Sequence, residues 1–126
     1  MTNIPAPFRI GEPETRFDAA AGSLSGSDEF VDRLSRYLGS ARGLILAPGT
    51  VQSPFSDSEK VRVRVGMMTD GVWVWHVAWS DYVAYHRVAP PAEFLRHIES
   101  VDFTVPDMSV DRAVEICEEI GLPMPD

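Results

Sequence analysis

The residues of this 126-residue chain that could carry covalent or acid–base chemistry are few. A nucleophilic enzyme sets Ser or Cys against a histidine and an orienting acid. Here the stock is one cysteine, Cys117, and three histidines, His76, His86 and His97. Cys117 falls on the apolar stripe of a C-terminal helical pattern, where a thiol serves as a small core side chain. The histidines follow one another at spacings that match no common metal motif. His76 reads as a half-buried strand end, and His86 and His97 as solvent-facing or structural. A lone cysteine excludes both an intrachain disulfide and a cysteine-based zinc site. Glu118-Glu119 and Asp28-Glu29 are paired carboxylates, yet adjacent residues on a helix point apart, and the second pair suits a helix N-terminus. No glycine-rich phosphate loop, Walker lysine or H-E-x-x-H occurs. The expectation is therefore no catalytic residue, no metal and no cofactor. A small-molecule enzyme whose site assembles only in three dimensions stays open as an alternative, as does a generic adaptor or structural protein.

Charge is more informative. Nineteen acids face eleven bases, for a net charge of −8. Such a surface argues against direct binding to nucleic acid or to an anionic membrane, because phosphate neutralisation needs basic side chains. The imbalance is concentrated in residues 99–126, which hold eight acids and only Arg112 as a base. Asp111, Glu115, Glu118 and Glu119 fall mostly opposite Ala113, Ile116 and Ile120 on the same helical pattern, with Glu99, Asp102 and Asp107 upstream. Like charges so spaced weaken a helix by a few tenths of a kcal/mol per pair, roughly. Asp102, Asp107, Asp111, Glu115, Glu118 and Glu119 are the candidate partner-binding residues, and the partner they imply is a basic protein surface. The plainer alternative is a solvated face that serves solubility alone.

A second candidate surface is aromatic. Trp73 and Trp75 share one face of an alternating run with Arg62 and Arg64. Covered by a helix they are core; uncovered, they form a platform with arginine stacked on indole. Tyr82 and Tyr85 follow at helical spacing.

The elements that must position these residues can be read along the chain. Residues 1–15, punctuated by Pro5, Pro7, Gly11 and Pro13, read as an extended or partly ordered arm, and 16–126 as a single α+β domain. Ser27 caps a helix over 28–38. Residues 44–47 form a short buried strand ended by Pro48-Gly49, and 48–60 are loop. The strict alternation of 61–65, the Asp70-Gly71 turn and the alternation of 72–75 predict an antiparallel hairpin over 61–77 closed by a two-residue type I′ turn. Pairing about that turn sets Met67 opposite Val74. It places Val61, Val63, Val65, Met67, Val74 and His76 on one face, and Arg62, Arg64, Gly66, Met68, Trp73, Trp75 and Val77 on the other. Helices follow at 78–87, 91–100 and 110–120, the last capped by Ser109 and closed by Gly121, with a short strand over 101–106. The result is a small antiparallel sheet centred on the hairpin, with three to four packed helices. No stretch is apolar enough to span a membrane, and the N-terminus lacks a signal-peptide pattern, so the cytoplasm is the expected compartment.

The segment Asp70-Gly71-Val72-Trp73-Val74-Trp75, then Tyr82-Val83, then Pro91-Ala92-Glu93-Phe94-Leu95, resembles a group of small acidic bacterial proteins in which a D-G-x-W-x-W hairpin precedes a tyrosine-bearing helix and a P-x-E-F-like helix. Some of these are similar to immunity proteins of polymorphic or contact-dependent toxin systems. The likeness covers residues 67–100. It implies a non-catalytic protein that binds a cognate toxin domain, often a basic nuclease, and neutralises it. It assigns no binding residue, and the oligomeric state stays open.

Overall fold

Ser27 opens the first helix as a cap should: its backbone is extended and its hydroxyl accepts from the Phe30 N–H at 3.1 Å. Helix α1 then runs over Asp28–Ser40 and buries Val31, Leu34, Tyr37 and Leu38 along one side. In this computed structural model, which describes residues 2–122, three further helices occur: α2 (Ala78–His86), α3 (Ala92–Ser100) and α4 (Val110–Ile120). All four lie within two residues of their expected spans. Ser109 caps α4 by accepting from the Arg112 N–H, and Gly121 ends it in the left-handed conformation that glycine adopts at least cost. Arg87 occupies the same conformation after α2, with φ of 48°, where its N–H returns to the Val83 carbonyl.

The strands are β1 (Thr2–Pro5), β2 (Phe8–Arg9), β3 (Arg16–Ala19), β4 (Arg42–Gln52), β5 (Arg62–Thr69) and β6 (Trp73–His76). All pairings are antiparallel. β1 and β3 form a two-stranded ribbon, and the main sheet has the order β2-β6-β5-β4. The architecture is thus α+β with a small antiparallel sheet, as its patterning implies.

Several local expectations give way. The N-terminal arm, expected to be extended or partly ordered, is paired into strands: β1 pairs with β3, and β2 adds an edge to β6, with Ile4, Ala6 and Phe8 buried. These apolar side chains, the strand pairing and the Trp79 indole N–H donating to the Pro5 carbonyl tie it down despite its prolines. β4 does not stop at Pro48-Gly49. These residues form a bulge between the Ala47–Val65 and Thr50–Arg64 pairs, Gly49 taking a φ of 87°, and the strand continues through part of the expected loop. The run is also not uniformly buried, for Leu44 is enclosed and Leu46 is 62% exposed.

The hairpin turn is longer than a two-residue type I′ turn. Thr69 lies opposite Val74, Met68 opposite Trp75 and Met67 opposite His76, and Asp70 to Val72 separate the two strands. The cause is the Asp70 carboxylate, whose Oδ1 accepts from both the Val72 and Trp73 N–H groups and holds the wider loop closed. The register moves by an even number of residues, so the faces near the turn are kept: Met67 and Val74 on one side, Met68, Trp73 and Trp75 on the other. Farther out the alternation slips. Val63 joins the Trp75 side because Gly66, with φ of 149°, interrupts the pleat. A Cβ at Gly66 would lie 2.4 Å from the Ile45 carbonyl oxygen, which explains why glycine stands there. Residues 101–106 form no strand; after α3 the chain turns through left-handed Asp102 and Phe103.

The sheet separates two apolar clusters. On one side α1, α2 and α3 cover Val63, Met68, Trp73 and Trp75 with side chains such as Leu34, Leu38, Trp79, Val83, Phe94 and Ile98. On the other, α4 sets Ala113, Ile116 and Cys117 against Phe8, Leu44, Met67 and Val74.

Candidate functional site: an acidic cleft beside helix α4

Helix α4 divides its side chains cleanly. Ala113, Ile116 and Cys117 are buried, while Asp111, Glu115, Glu118 and Glu119 are exposed. Ala113 and Cys117 are short enough to let the helix lie close to the sheet, while Val110 in its first turn stays 62% exposed. Arg112 partly offsets the charge, reaching Glu115 at 3.3 Å and Glu119 at 3.5 Å. Asp102, on the turn after α3, meets Arg33 at 3.2 Å with its own side chain 90% exposed. Asp107, in the linker to α4, is exposed as well, as is Glu99 at the end of α3. Among the described residues Glu99, Asp107, Asp111 and Glu118 have no ion-pair partner. The structure therefore brings Glu115, Glu118 and Glu119 together on one helix face and leaves Asp102 and Asp107 on the connection that precedes it.

The C-terminal end of α4 borders a cleft of about 420 Å³. Buried Phe8 and Met67 line it together with half-buried Ile120 and Leu122, and the exposed residues Glu12, Glu14 and Glu119 border it. Glu14 also lies 3.4 Å from His76 Nε2. β2 is what builds this arrangement: by pairing Phe8 with Val74, it carries the Gly11–Glu14 segment over to α4. Apolar lining beside acidic residues suits a side chain with an aliphatic stem and a cationic head, which can bury its methylenes and keep its charge in solvent. Sequence reasoning missed Glu12 and Glu14. They sit in a proline-punctuated arm with no periodicity, and only the pairing of β2 with β6 relates them to Glu119.

The aromatic candidates are placed differently. Trp73 is 5% exposed and Trp75 fully enclosed. α3 inserts Phe94 against both indoles at centroid distances of 5.0 and 5.3 Å. Trp75 also stacks on Tyr37 and donates its N–H to the Leu38 carbonyl. Arg9, not Arg62 or Arg64, lies over the Trp73 ring. Arg64 instead grips Asp81, whose carboxylate accepts from both its guanidinium and its backbone N–H. Tyr82 is buried against Phe55 and Trp79, and its hydroxyl is pushed to a higher pKa first by that burial and then by Asp81, against a smaller opposing effect of Arg16. Of the four aromatics only Tyr85 presents a substantial surface, at 61% exposure.

Two polar clusters have catalytic-looking compositions. Asp70, 4% exposed, accepts at Oδ2 from the Tyr37 hydroxyl at 2.5 Å and lies 2.8 Å from His97 Nε2. With the two loop amides on Oδ1, the carboxylate has four partners, which satisfies a buried charge. Burial, the bond to Asp70 and the charge of Asp70 together raise the Tyr37 pKa. This cluster joins α1 and α3 to the β5–β6 loop, and its sequence signal was an Asp-Gly pair that reads only as a turn. The second pair is Ser53 Oγ and His86 Nε2, 2.8 Å apart. Ser53 is 1% exposed and its Oγ also accepts from the Phe55 N–H, so a substrate carbonyl has no approach to it. Cys117 is 1% exposed, and burial pushes its thiol pKa up, away from thiolate reactivity. Among the described residues no group of three or more His, Cys, Asp or Glu side chains is arranged to hold a metal ion. Among the described residues no helix is long and apolar enough to cross a membrane.

No protein-family model, curated protein or solved structure matches the chain.

Proposed function

We propose that this chain is a protein-binding domain without catalysis of its own, which engages a basic protein surface through the outer face of α4 and the adjoining cleft. In the class to which its D-G-x-W-x-W segment points, that partner is a toxin domain and the chain is the immunity protein that neutralises it. One observation carries the reading: the exposed acidic face of α4 adjoins a cleft lined by Phe8, Met67, Ile120 and Leu122 and bordered by Glu12, Glu14 and Glu119. A solvated face serving solubility requires no such cavity. Exposed carboxylates speed encounter with a basic surface, while a cleft able to receive a Lys or Arg side chain adds specificity and residence time. Arginine and lysine side chains crowd the phosphate sites of nucleases, so an acidic face that fits them blocks substrate directly.

The experiment is recovery of the partner from the source cell, followed by association kinetics of the purified pair. The reading requires a basic partner whose binding weakens when Glu12 and Glu119 are replaced by Gln. A reproducible hydrolytic turnover lost in Ser53→Ala or His86→Ala would replace it with an enzyme.

A further inference from the structure

The main sheet ends at β4, which has no strand on its outer side among the described residues. Exposed strand edges are usually shortened, charged or covered, because their unpaired N–H and C=O groups recruit other chains. β4 is eleven residues long, and its outer stretch is apolar: Leu46 is 62% exposed, Val51 51%, and Val65 on the neighbouring β5 39%. Beside them lies a groove of about 220 Å³ in which Leu46, Ala47, Val65, Met68 and Val77 provide the apolar lining. That surface is open to a side chain from outside.

The charges around it are of the opposite sign to those on α4. Residues 41–66 hold four bases, Arg42, Lys60, Arg62 and Arg64, against Asp57 and Glu59. In a chain with this excess of acids, arginines on a strand would be expected to find carboxylates at hand. Arg64 does, in Asp81. Arg62 finds only neutral acceptors, the Thr50 hydroxyl at 3.1 Å and carbonyl at 2.6 Å. Arg42 has no ion pair among the described residues, and its buried Nε lacks any acceptor. A guanidinium held on a rigid strand without a carboxylate is prepared for one supplied from outside.

We propose that the free edge of β4, with the groove beside Leu46 and Val65, docks an extended segment of a partner protein in which apolar side chains alternate with carboxylates. The segment adds a short strand along residues 45–47, the uninterrupted stretch between the Gly43–Ile45 register shift and the bulge at Pro48-Gly49, where Pro48 also lacks an N–H. Its apolar side chains enter the groove, and its carboxylates meet Arg42 and Arg62. A second copy of this chain is a poorer occupant. Two-fold pairing of β4 with itself would bring Arg42 and Arg62 of both copies into one interface, where β4 supplies no carboxylate to offset them.

The test uses the full chain and two synthetic probes, a decapeptide alternating valine with glutamate and its counterpart with lysine for glutamate. The expected result in amide NMR titrations is saturable shifts at residues 45–47 and 64–66 with the glutamate peptide, diminishing with salt. The lysine peptide should give none there. Leu46→Gln and Arg42→Gln should each weaken the glutamate peptide about tenfold at unchanged thermal stability. Absence of saturation, equal response to both peptides, or shifts confined to α4 would overturn the proposal. So would a dimer in sedimentation velocity that Leu46→Gln dissolves, since a second copy would then own the edge.

Discussion

Helices α3 and α4 pack on opposite faces of one small sheet and use their side chains in contrary ways. α3 directs its distinctive residues inward, wedging Phe94 between two indoles and placing His97 on the buried Asp70 carboxylate. α4 contributes small and medium side chains to its interface and leaves four carboxylates in solvent. The D-G-x-W-x-W segment therefore belongs to the side that holds the fold together. The segment without a motif belongs to the side available for contact. Aromatic residues beside arginines left core and platform as alternatives, and the indoles are covered; the acidic helix, the candidate partner face, borders a cleft.

The contrast predicts that damage on the α3 side costs stability without altering recognition. Phe94→Ala should have the largest effect, about 3–5 kcal/mol, because a fully enclosed ring leaves a cavity between Trp73 and Trp75. Chemical denaturation measures the loss, and partner association at a temperature where the variant is folded should keep the wild-type rate. Asp70→Ala comes next, at about 3 kcal/mol, since it strands the Tyr37 hydroxyl, His97 and two loop amides at once. An intact midpoint in that variant would mean that the β5–β6 loop is held by packing alone.

Tyr37→Phe probes the same cluster through pH. The hydroxyl stays protonated to a higher pH when folded than in the unfolded chain, whose value is 10.0. An unfolded state that releases this proton first gains over the native state as pH rises, so stability from this group is constant below about pH 10 and falls above it. Phenylalanine should cost about 1–2 kcal/mol at neutral pH and make the alkaline decline shallower. Cys117→Ser, on the α4 side of the sheet, should cost about 1 kcal/mol by setting a hydroxyl in an apolar contact, with no accompanying loss of any activity.

Much of this was legible in the chain, and the pattern of success is physical. Helix boundaries were readable because caps are local: Ser27, Ser109 and Gly121 act on groups within a few residues of themselves. The faces of the hairpin near its turn were readable because side-chain period is a property of the strand. Its register was not, because Asp70 stabilises a wider loop through bonds that also engage α1 and α3. The folding of the N-terminal arm into two sheets was hidden as well, since β1 and β2 gain their stability from partners far along the chain. For the site, the exposed carboxylates of α4 followed from amphipathic periodicity, whereas the cleft depends on β2 reaching β6 and has no local signature. Trp73 and Trp75 could be weighed from the sequence but not decided, because their exposure depends on where α3 packs.

The central claim is that the outer face of α4 and its cleft are a recognition surface for a basic protein. Its most direct test is stopped-flow association with the recovered partner across a salt series, comparing wild type with the Glu115→Gln, Glu118→Gln, Glu119→Gln triple variant. Exposed charges are screened over about 8 Å at physiological ionic strength. The account predicts that wild-type association slows steeply with salt, and that the variant is slow at low salt with a shallow dependence while its stability is unchanged or slightly improved. Superimposable salt profiles for the two proteins would contradict it and reduce the acidic face to a solvated surface.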